Sequence, residues 1–206
     1  MYEDNGWNSV TGEQLDGFLA QVNPIDGKHK CSAQTSQVAW RALPFYDSVA
    51  LIRIRDAAWS PSNLSIYYLT DKGALFRLNG TSPPIHEVNA KAPIKLNEQN
   101  ILEYLRFFCF FVRGEKGPFL ITESMDDPNM PKNIDDNTRS VIANTIRPAS
   151  YEGRNDKDYY MCDGVVFYDN ALFIATFAVH PTGMIEMLSD EAIALDLPVR
   201  VDCPVA

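Results

Sequence analysis

The clearest structural pattern of this chain lies in residues 158–188, DYYMCDGVVFYDNALFIATFAVHPTGMIEML. Three segments, over 158–168, 171–179 and 184–188, are rich in the aromatic and β-branched residues that strands favour. The connections between them, Asp169-Asn170 and Pro181-Thr182-Gly183, consist of residue types that fit tight turns. The sequence therefore predicts an antiparallel meander of three strands.

Upstream of the meander, residues 97–112, NEQNILEYLRFFCFFV, predict a long apolar helix. Asn97 is a favourable N-cap residue, and Gly114 is placed where a helix often ends. Apolar residues recur at helical spacing along the first part of this stretch. Residues 107–112 are entirely apolar and aromatic, so they could instead form a strand that turns back through residues 113–117.

The remaining segments alternate between helical and β patterns, with several strands in succession. Toward the N-terminus, the patterns predict a helix over 12–22 that ends at Asn23-Pro24 and Asp26-Gly27, followed by one or two helical turns over 34–43. After these they predict a strand over 48–56, a hairpin over 64–69 and 74–78, and a loop or sheet edge at Ser82-Pro83-Pro84. Further on, they predict a strand over 119–123, a loop over 124–137, a strand or a helical turn over 141–146, and a short helix over 189–195.

Runs of strands of this kind favour an α+β fold over a doubly wound parallel sheet. A helix that is apolar on most sides is expected to pack inside a curved antiparallel sheet. This arrangement resembles cystatin-like and NTF2-like folds in architecture, an analogy that rests on no specific residue. Residues 1–47 are expected to form a short helical segment or an arm, and residues 48–206 the α+β domain, most simply as one globular unit.

The net charge is unevenly distributed along the 206 residues. Up to Leu96 there are 9 basic and 9 acidic residues, whereas from Asn97 onward there are 9 basic and 18 acidic residues, which accounts for the whole net charge of −9. Nucleic-acid binders usually carry a basic stripe, and none is present here. The sequence therefore predicts neither a nucleic-acid partner nor a membrane partner, and it indicates a protein partner for the acidic half.

The cysteines indicate a reducing compartment and no redox or zinc motif. Cys31, Cys109, Cys162 and Cys203 are widely spaced, and no two of them form a C-x-x-C pair. The polar N-terminus lacks the basic and apolar regions of a secretory signal. A cytoplasmic protein with free thiols is expected.

The sequence contains none of the common motifs that are diagnostic of a particular enzymatic reaction. No phosphate-binding loop, dinucleotide fingerprint, nucleophile elbow or H-E-x-x-H motif occurs, so no cofactor is predicted. The carboxylates Asp126, Asp127, Asp135 and Asp136 do not have the spacing of a calcium loop, so no metal site is predicted either.

Four polar residues remain candidates for acid–base chemistry because they lie near predicted strand ends. His86 and His180 could exchange protons, Asp163 could act as an acid or base, and Tyr160 could donate a hydrogen bond. Each has an ordinary structural interpretation as well: both histidines fall in a predicted loop or turn, where a solvated side chain is common.

Aromatic residues of the helix and the meander could line an apolar ligand pocket. The candidates are Phe108, Tyr168, Phe173 and Phe177. The same residues could equally form a packed core or a dimer interface.

Two hypotheses for function follow. The first is a binding module without catalytic activity, expected to be a homodimer, whose acidic C-terminal half contacts a partner. The second is a small enzyme that uses a pocket between helix and sheet for proton-transfer or hydrolytic chemistry on a small apolar molecule. The sequence leaves open whether the protein is an enzyme.

Overall fold

The computed structural model of this chain describes residues 6–25, 28–61 and 63–199. Outside these residues lie Asp26-Gly27, at the predicted end of the first helix, and Cys203. Across the described ranges the chain is α+β, with antiparallel sheets and four helices, as the sequence predicts. The finer analogy to cystatin-like and NTF2-like folds stays a prediction. The chain forms two compact units, the first extending to Asn79 and the second beginning at Gly80.

The first unit is an antiparallel sheet whose five strands lie side by side in chain order. One face of the sheet is covered by a helix that buries Leu19 and Val22 against Val38, Ile52 and Ile54. The predicted boundary between residues 47 and 48 falls in the connection between two neighbouring strands of this sheet. The elements are β1 (Asn8–Val10), α1 (Glu13–Val22), β2 (Ser36–Ala42), β3 (Ala50–Asp56), β4 (Ile66–Asp71) and β5 (Ala74–Arg77).

The prediction of helical turns over 34–43 is wrong, because this segment contains β2. All seven residues of β2 pair with β3, from Ser36 opposite Asp56 to Ala42 opposite Ala50. Pairing along a whole strand satisfies its backbone groups and overrides a weak local helical pattern.

The second unit contains a five-stranded antiparallel sheet, a two-stranded ribbon and three helices. Its elements are α2 (Pro83–Lys91), α3 (Ile101–Phe111), β6 (Arg113–Gly114), β7 (Gly117–Pro118), β8 (Leu120–Ile121), α4 (Asp136–Thr145), β9 (Ser150–Arg154), β10 (Tyr160–Tyr168), β11 (Ala171–Val179) and β12 (Ile185–Ala194). The strand order is β12-β11-β10-β8, and β9 pairs with the other end of β10. The predicted three-strand meander is confirmed as β10, β11 and β12.

The predicted apolar helix is confirmed as α3. Eight of its residues are buried, and Phe107, Phe110 and Phe111 form a chain of ring contacts. The alternative strand over 107–112 is therefore wrong, since the helix continues to Phe111. Its predicted terminator Gly114 lies in the β6–β7 ribbon instead, and the backbone leaves the helix already at Val112.

Three other predictions of local structure are wrong in this unit, each for a physical reason. The loop at Ser82-Pro83-Pro84 is the start of α2, because proline is tolerated in the first turn, where its missing N–H group has no helical partner. Of the two alternatives for 141–146, the strand is wrong and the helical turn is right, because residues up to Thr145 lie in α4, whose N-cap Asp135 accepts a hydrogen bond from the backbone N–H of Thr138 at 2.9 Å. The helix over 189–195 is part of β12, which pairs with β11 along its length.

Candidate functional site

A cleft in the second unit lies between a helix and a hairpin turn, beside the side chain of His86. The cleft has a volume of about 400 Å³. It is called the histidine cleft below, and its lining consists of His86, Asn89 and Ala90 from α2, Pro93 and Ile94 after that helix, and Pro181 and Thr182 from the β11–β12 turn.

Two hydrogen bonds attach the turn to the helices. The side-chain amide of Asn89 donates to the carbonyl oxygen of Thr182 at 3.0 Å, and the hydroxyl of buried Tyr104 donates to the carbonyl oxygen of Gly183 at 2.5 Å. Gly183 has a φ of +87°, and a Cβ atom there would lie 2.5 Å from both the Asn89 amide nitrogen and the Tyr104 hydroxyl. The close approach therefore requires glycine.

Of the two predicted histidines, His86 lines the cleft, whereas His180 is not among the described residues that line it. The His86 ring lies 6.0 Å from the ring of Phe108 on α3, and the His180 ring packs edge-on against Tyr159 at 4.8 Å. Nδ1 of His180 accepts the backbone N–H of Thr182 at 3.1 Å and lies 2.6 Å from the Thr182 hydroxyl. Because Nδ1 is an acceptor, a neutral His180 carries its proton on Nε2.

The other two predicted acid–base residues have structural partners, and neither is among the described residues that line the histidine cleft. The buried hydroxyl of Tyr160 donates to the carbonyl oxygen of Leu96 at 2.7 Å and accepts from Arg154 at 2.5 Å. Burial raises the pKa of Tyr160, and the Arg154 charge opposes that rise. Asp163 accepts a hydrogen bond from Thr176, its direct partner on β11, at 2.8 Å.

The predicted aromatic pocket is divided between three places. Tyr168 and Phe173 line a cavity of about 150 Å³ together with Phe119, Val166, Met187 and Asp190. Phe108 contacts His86 instead, and Phe177 is buried in the core at 2% exposure. A cavity of this volume is smaller than the roughly 300–1,000 Å³ of typical small-molecule sites.

A second candidate site, which the sequence analysis did not predict, is the outer edge of the large sheet. Residues 184–199, called the edge segment below, include β12 and its flanks. Among the described residues, β12 pairs with β11 alone. The edge segment exposes five large apolar side chains: Met184, Met187, Leu188, Leu195 and Val199.

The edge segment is also acidic throughout. Glu186, Asp190, Glu191 and Asp196 lie in it, and its sequence contains no lysine or arginine. Val141, on the helix α4 that contacts β12, is a further exposed apolar residue beside it. The sequence did carry a signal for this surface, since apolar and acidic residues are interleaved without any basic residue, but the predicted helix over 189–195 concealed it.

Two β-bulges interrupt the pairing of β12 with β11. Leu188 and Ile193 are the extra residues, each unmatched between paired neighbours. Bulges increase strand twist and are frequent at sheet edges. They leave Leu188 with 52% of its surface exposed.

In the described ranges, no three side chains of histidine, cysteine, aspartate or glutamate are grouped in a way that could hold a metal ion. None of the helices described has both the length and the apolar character needed to cross a bilayer. Comparison of the chain with protein-family models, with curated proteins and with solved structures finds no match.

Proposed function

We propose that this protein is an interaction module that binds a basic, partly apolar protein segment along its edge segment. The observation that carries the proposal is the concentration of exposed apolar side chains there. Of the eight exposed large hydrophobic residues among those described, five lie in the edge segment and a sixth is Val141 beside it. Contiguous exposed apolar surface on a folded protein is typical of interaction sites.

The backbone of β12 offers the means of attachment. A strand at the edge of a sheet presents N–H and C=O groups that an extended partner segment can pair with. Removing half-exposed side chains such as Met184 and Leu195 from water would contribute on the order of 1 kcal/mol each. Backbone pairing then supplies affinity, and the side chains supply specificity.

The charge of the edge segment determines which partner fits. Glu186, Asp190 and Glu191 favour lysine or arginine in the partner and oppose a second acidic strand. A second copy of β12 would place further carboxylates beside these three. The homodimer expected from the sequence therefore stays a prediction, while a basic partner is the proposal.

Peptide binding tests the proposal directly. An extended ten-residue peptide in which lysine alternates with valine is titrated against the whole protein, with a glutamate–valine peptide as the charge control. Saturable binding of the lysine peptide is expected, with slower amide exchange across residues 185–194. The substitution Leu188→Asp should weaken this binding, whereas Ile25→Asp, at an equally exposed apolar residue of the first unit, should not.

Three outcomes would overturn the proposal. The first is equal binding of the two peptides, and the second is a lack of protection of β12 in hydrogen exchange when the lysine peptide is bound. The third is a dimer in multi-angle light scattering that Leu188→Asp dissociates, which would assign the edge segment to a second copy of this chain.

The histidine cleft supports a second candidate function, a small enzyme or carrier for a small apolar molecule. The specific observation in its favour is that His86 and the turn containing His180 meet at one cleft with several apolar lining residues. Native mass spectrometry beside the denatured mass tests it. An additional mass lost on denaturation, and lost also in His86→Leu, would favour this candidate, and a bare chain mass would count against it.

A further inference from the structure

A cavity in the first unit has a different chemical character from the histidine cleft. It lies where β1 ends at Val10 while β2 continues to Ser36, and its volume is about 440 Å³. Its polar lining consists of Ser9, Thr11, Ser36, Gln37, Arg53 and Arg55, and it is called the arginine cleft below.

The two arginines are placed on the same face of one strand. Arg53 and Arg55 are two residues apart on β3, opposite Ala39 and Gln37 of β2, and both are half-buried. The guanidinium carbon of Arg53 lies 4.4 Å from the centre of the Trp7 ring. A cation over a tryptophan face at this distance is attracted by the ring, which holds the side chain in place.

Arg55 is oriented by a hydrogen bond as well. Its Nε donates to the hydroxyl of Ser65, a buried residue, at 3.0 Å. A guanidinium group presents several N–H donors in a rigid plane, so fixing one of them fixes the directions of the others. Both positive charges of the cleft are therefore held by neighbouring side chains.

The lining is complementary to an anion. None of the described residues that line the arginine cleft is an aspartate or a glutamate. The Ser36 hydroxyl already donates to the buried carboxylate of Asp56 at 2.5 Å, so the neutral hydrogen-bond donors left to a ligand are the hydroxyls of Ser9 and Thr11 and the amide of Gln37. Two arginines suit a doubly charged group better than a carboxylate, which has one charge and two oxygens. Phosphate has both the second charge and the third oxygen.

We propose that the arginine cleft binds the phosphate group of a small phosphorylated organic molecule. Arg53 and Arg55 hold the phosphate oxygens, and the hydroxyls of Ser9 and Thr11 supply neutral donors at the rim. The volume fits the roughly 300–1,000 Å³ of small-molecule sites and exceeds what phosphate alone would fill. Half-buried Trp7 and Leu15 form the apolar wall for the organic part.

Calorimetric titration of the whole protein at constant ionic strength tests this site. The probes are inorganic phosphate, phenyl phosphate and benzoate. Phenyl phosphate is expected to bind saturably and more tightly than inorganic phosphate, and benzoate to bind weakest. Arg55→Gln should lower the affinity for phenyl phosphate by about 10-fold to 100-fold, as for loss of a charge-assisted hydrogen bond.

Control variants separate binding from folding. Arg77→Gln removes a half-buried arginine on β5, outside the arginine cleft, and should leave the affinity unchanged. Arg53→Lys keeps the charge but loses the planar fork, so it should bind with intermediate affinity while its unfolding temperature stays near that of the unchanged protein.

The proposal is overturned if no phosphate probe binds saturably at millimolar concentration, or if Arg55→Gln and Arg77→Gln have the same affinity. Benzoate binding as tightly as phenyl phosphate would also overturn it, because the cleft would then recognise a carboxylate. The binding of basic peptides to the edge segment is measured in a separate experiment. The result of the phosphate titrations therefore neither supports nor contradicts the proposed function.

Discussion

Gly183 is the residue at which backbone conformation and tertiary contact are most tightly linked. Replacing it by alanine combines two costs, the positive φ of +87° and a Cβ atom 2.5 Å from both Asn89 and Tyr104. We expect Gly183→Ala to lower the free energy of unfolding by about 2–5 kcal/mol, the sum of typical strain and overpacking costs. Urea unfolding followed by circular dichroism measures the change.

Gly153 provides a matched control in the same unit. It also has a positive φ, of +100°, but a Cβ atom there would meet nothing within 4 Å. Gly153→Ala should therefore cost only the backbone strain, about 1–2 kcal/mol. Equal losses in the two variants would show that the contacts with Asn89 and Tyr104 contribute nothing measurable.

Two buried thiols make stability depend on pH on the alkaline side. Burial raises the pKa of Cys109 to about 12, with a further contribution from Cys162. Burial likewise raises the pKa of Cys162 to about 12, with Asp163 and Glu152 adding to the rise. In the unfolded chain the thiols release their protons near pH 9, while in the folded protein they keep them. The free energy of unfolding is therefore not reduced by these thiols below pH 9, and it falls as the pH rises above 9.

The expected slope is a loss of about 1.4 kcal/mol per pH unit for each thiol above pH 9. Urea unfolding at several pH values between 8 and 10.5 measures it. Cys162→Ala should reduce the pH dependence of the free energy of unfolding by the contribution of one thiol. The smaller alanine side chain should in addition lower the free energy of unfolding by an amount that does not depend on pH. An unchanged slope in that variant would contradict the assignment.

At the scale of elements, one ion pair connects α3 to the sheet. Glu123 accepts from Arg106 at 2.5 Å and from the backbone N–H of Ala149 at 3.0 Å. The Nε of Arg106 is buried without a hydrogen-bond partner in the described part of the chain, so Glu123 is an important partner for this guanidinium. We expect Glu123→Ala to lower the free energy of unfolding by about 1–3 kcal/mol, because it leaves buried donors unsatisfied.

An exposed ion pair in the same unit serves as the comparison. Glu87 and Lys91 lie one turn apart on α2 at 2.7 Å, with more than half of each side chain exposed. Glu87→Ala should cost no more than about 0.5 kcal/mol, because water screens such pairs. If thermal or urea unfolding ranks the two variants in the opposite order, burial is not what distinguishes them.

The elements also show what the sequence could and could not predict. β10 and β11 were predictable because two local signals indicate the same hairpin: the β-branched and aromatic residues of both strands, and the Asp169-Asn170 turn between them. α2 was not, because Pro83 and Pro84 are compatible with both a loop and a first helical turn. For β12, the pattern Ser189-Asp190-Glu191 is a good local helix start, and pairing with β11 overrides it.

The candidate site was predictable only in part, because it depends on distant contacts. His86 and His180 were identified as candidates, but the position of the β11–β12 turn beside α2 results from Asn89 and Tyr104 binding that turn. No local pattern encodes a contact across about eighty positions of sequence. The arginine cleft likewise depends on where β1 ends beside β2, which the sequence analysis did not predict.

For the whole molecule, the charge distribution predicts how partner binding responds to salt. The 18 acidic residues from Asn97 onward, against 9 basic ones, would attract the proposed basic partner over distances that salt screens, about 10 Å at 0.1 M. The affinity of the lysine–valine peptide should therefore fall steeply between 50 and 500 mM NaCl. Titrations across this range measure it, and an affinity that rises with salt would mean that apolar contact alone drives binding.

The bond between Tyr104 and Gly183 also has a consequence for how the chain is made. The two residues are 79 positions apart, so at about 5–20 residues per second Gly183 is synthesised roughly 4–16 s after Tyr104. For most of that interval α3, with eight residues that end up buried, lacks the complete meander of β10, β11 and β12. In a cell, this helix is a segment of the nascent chain that chaperones would bind.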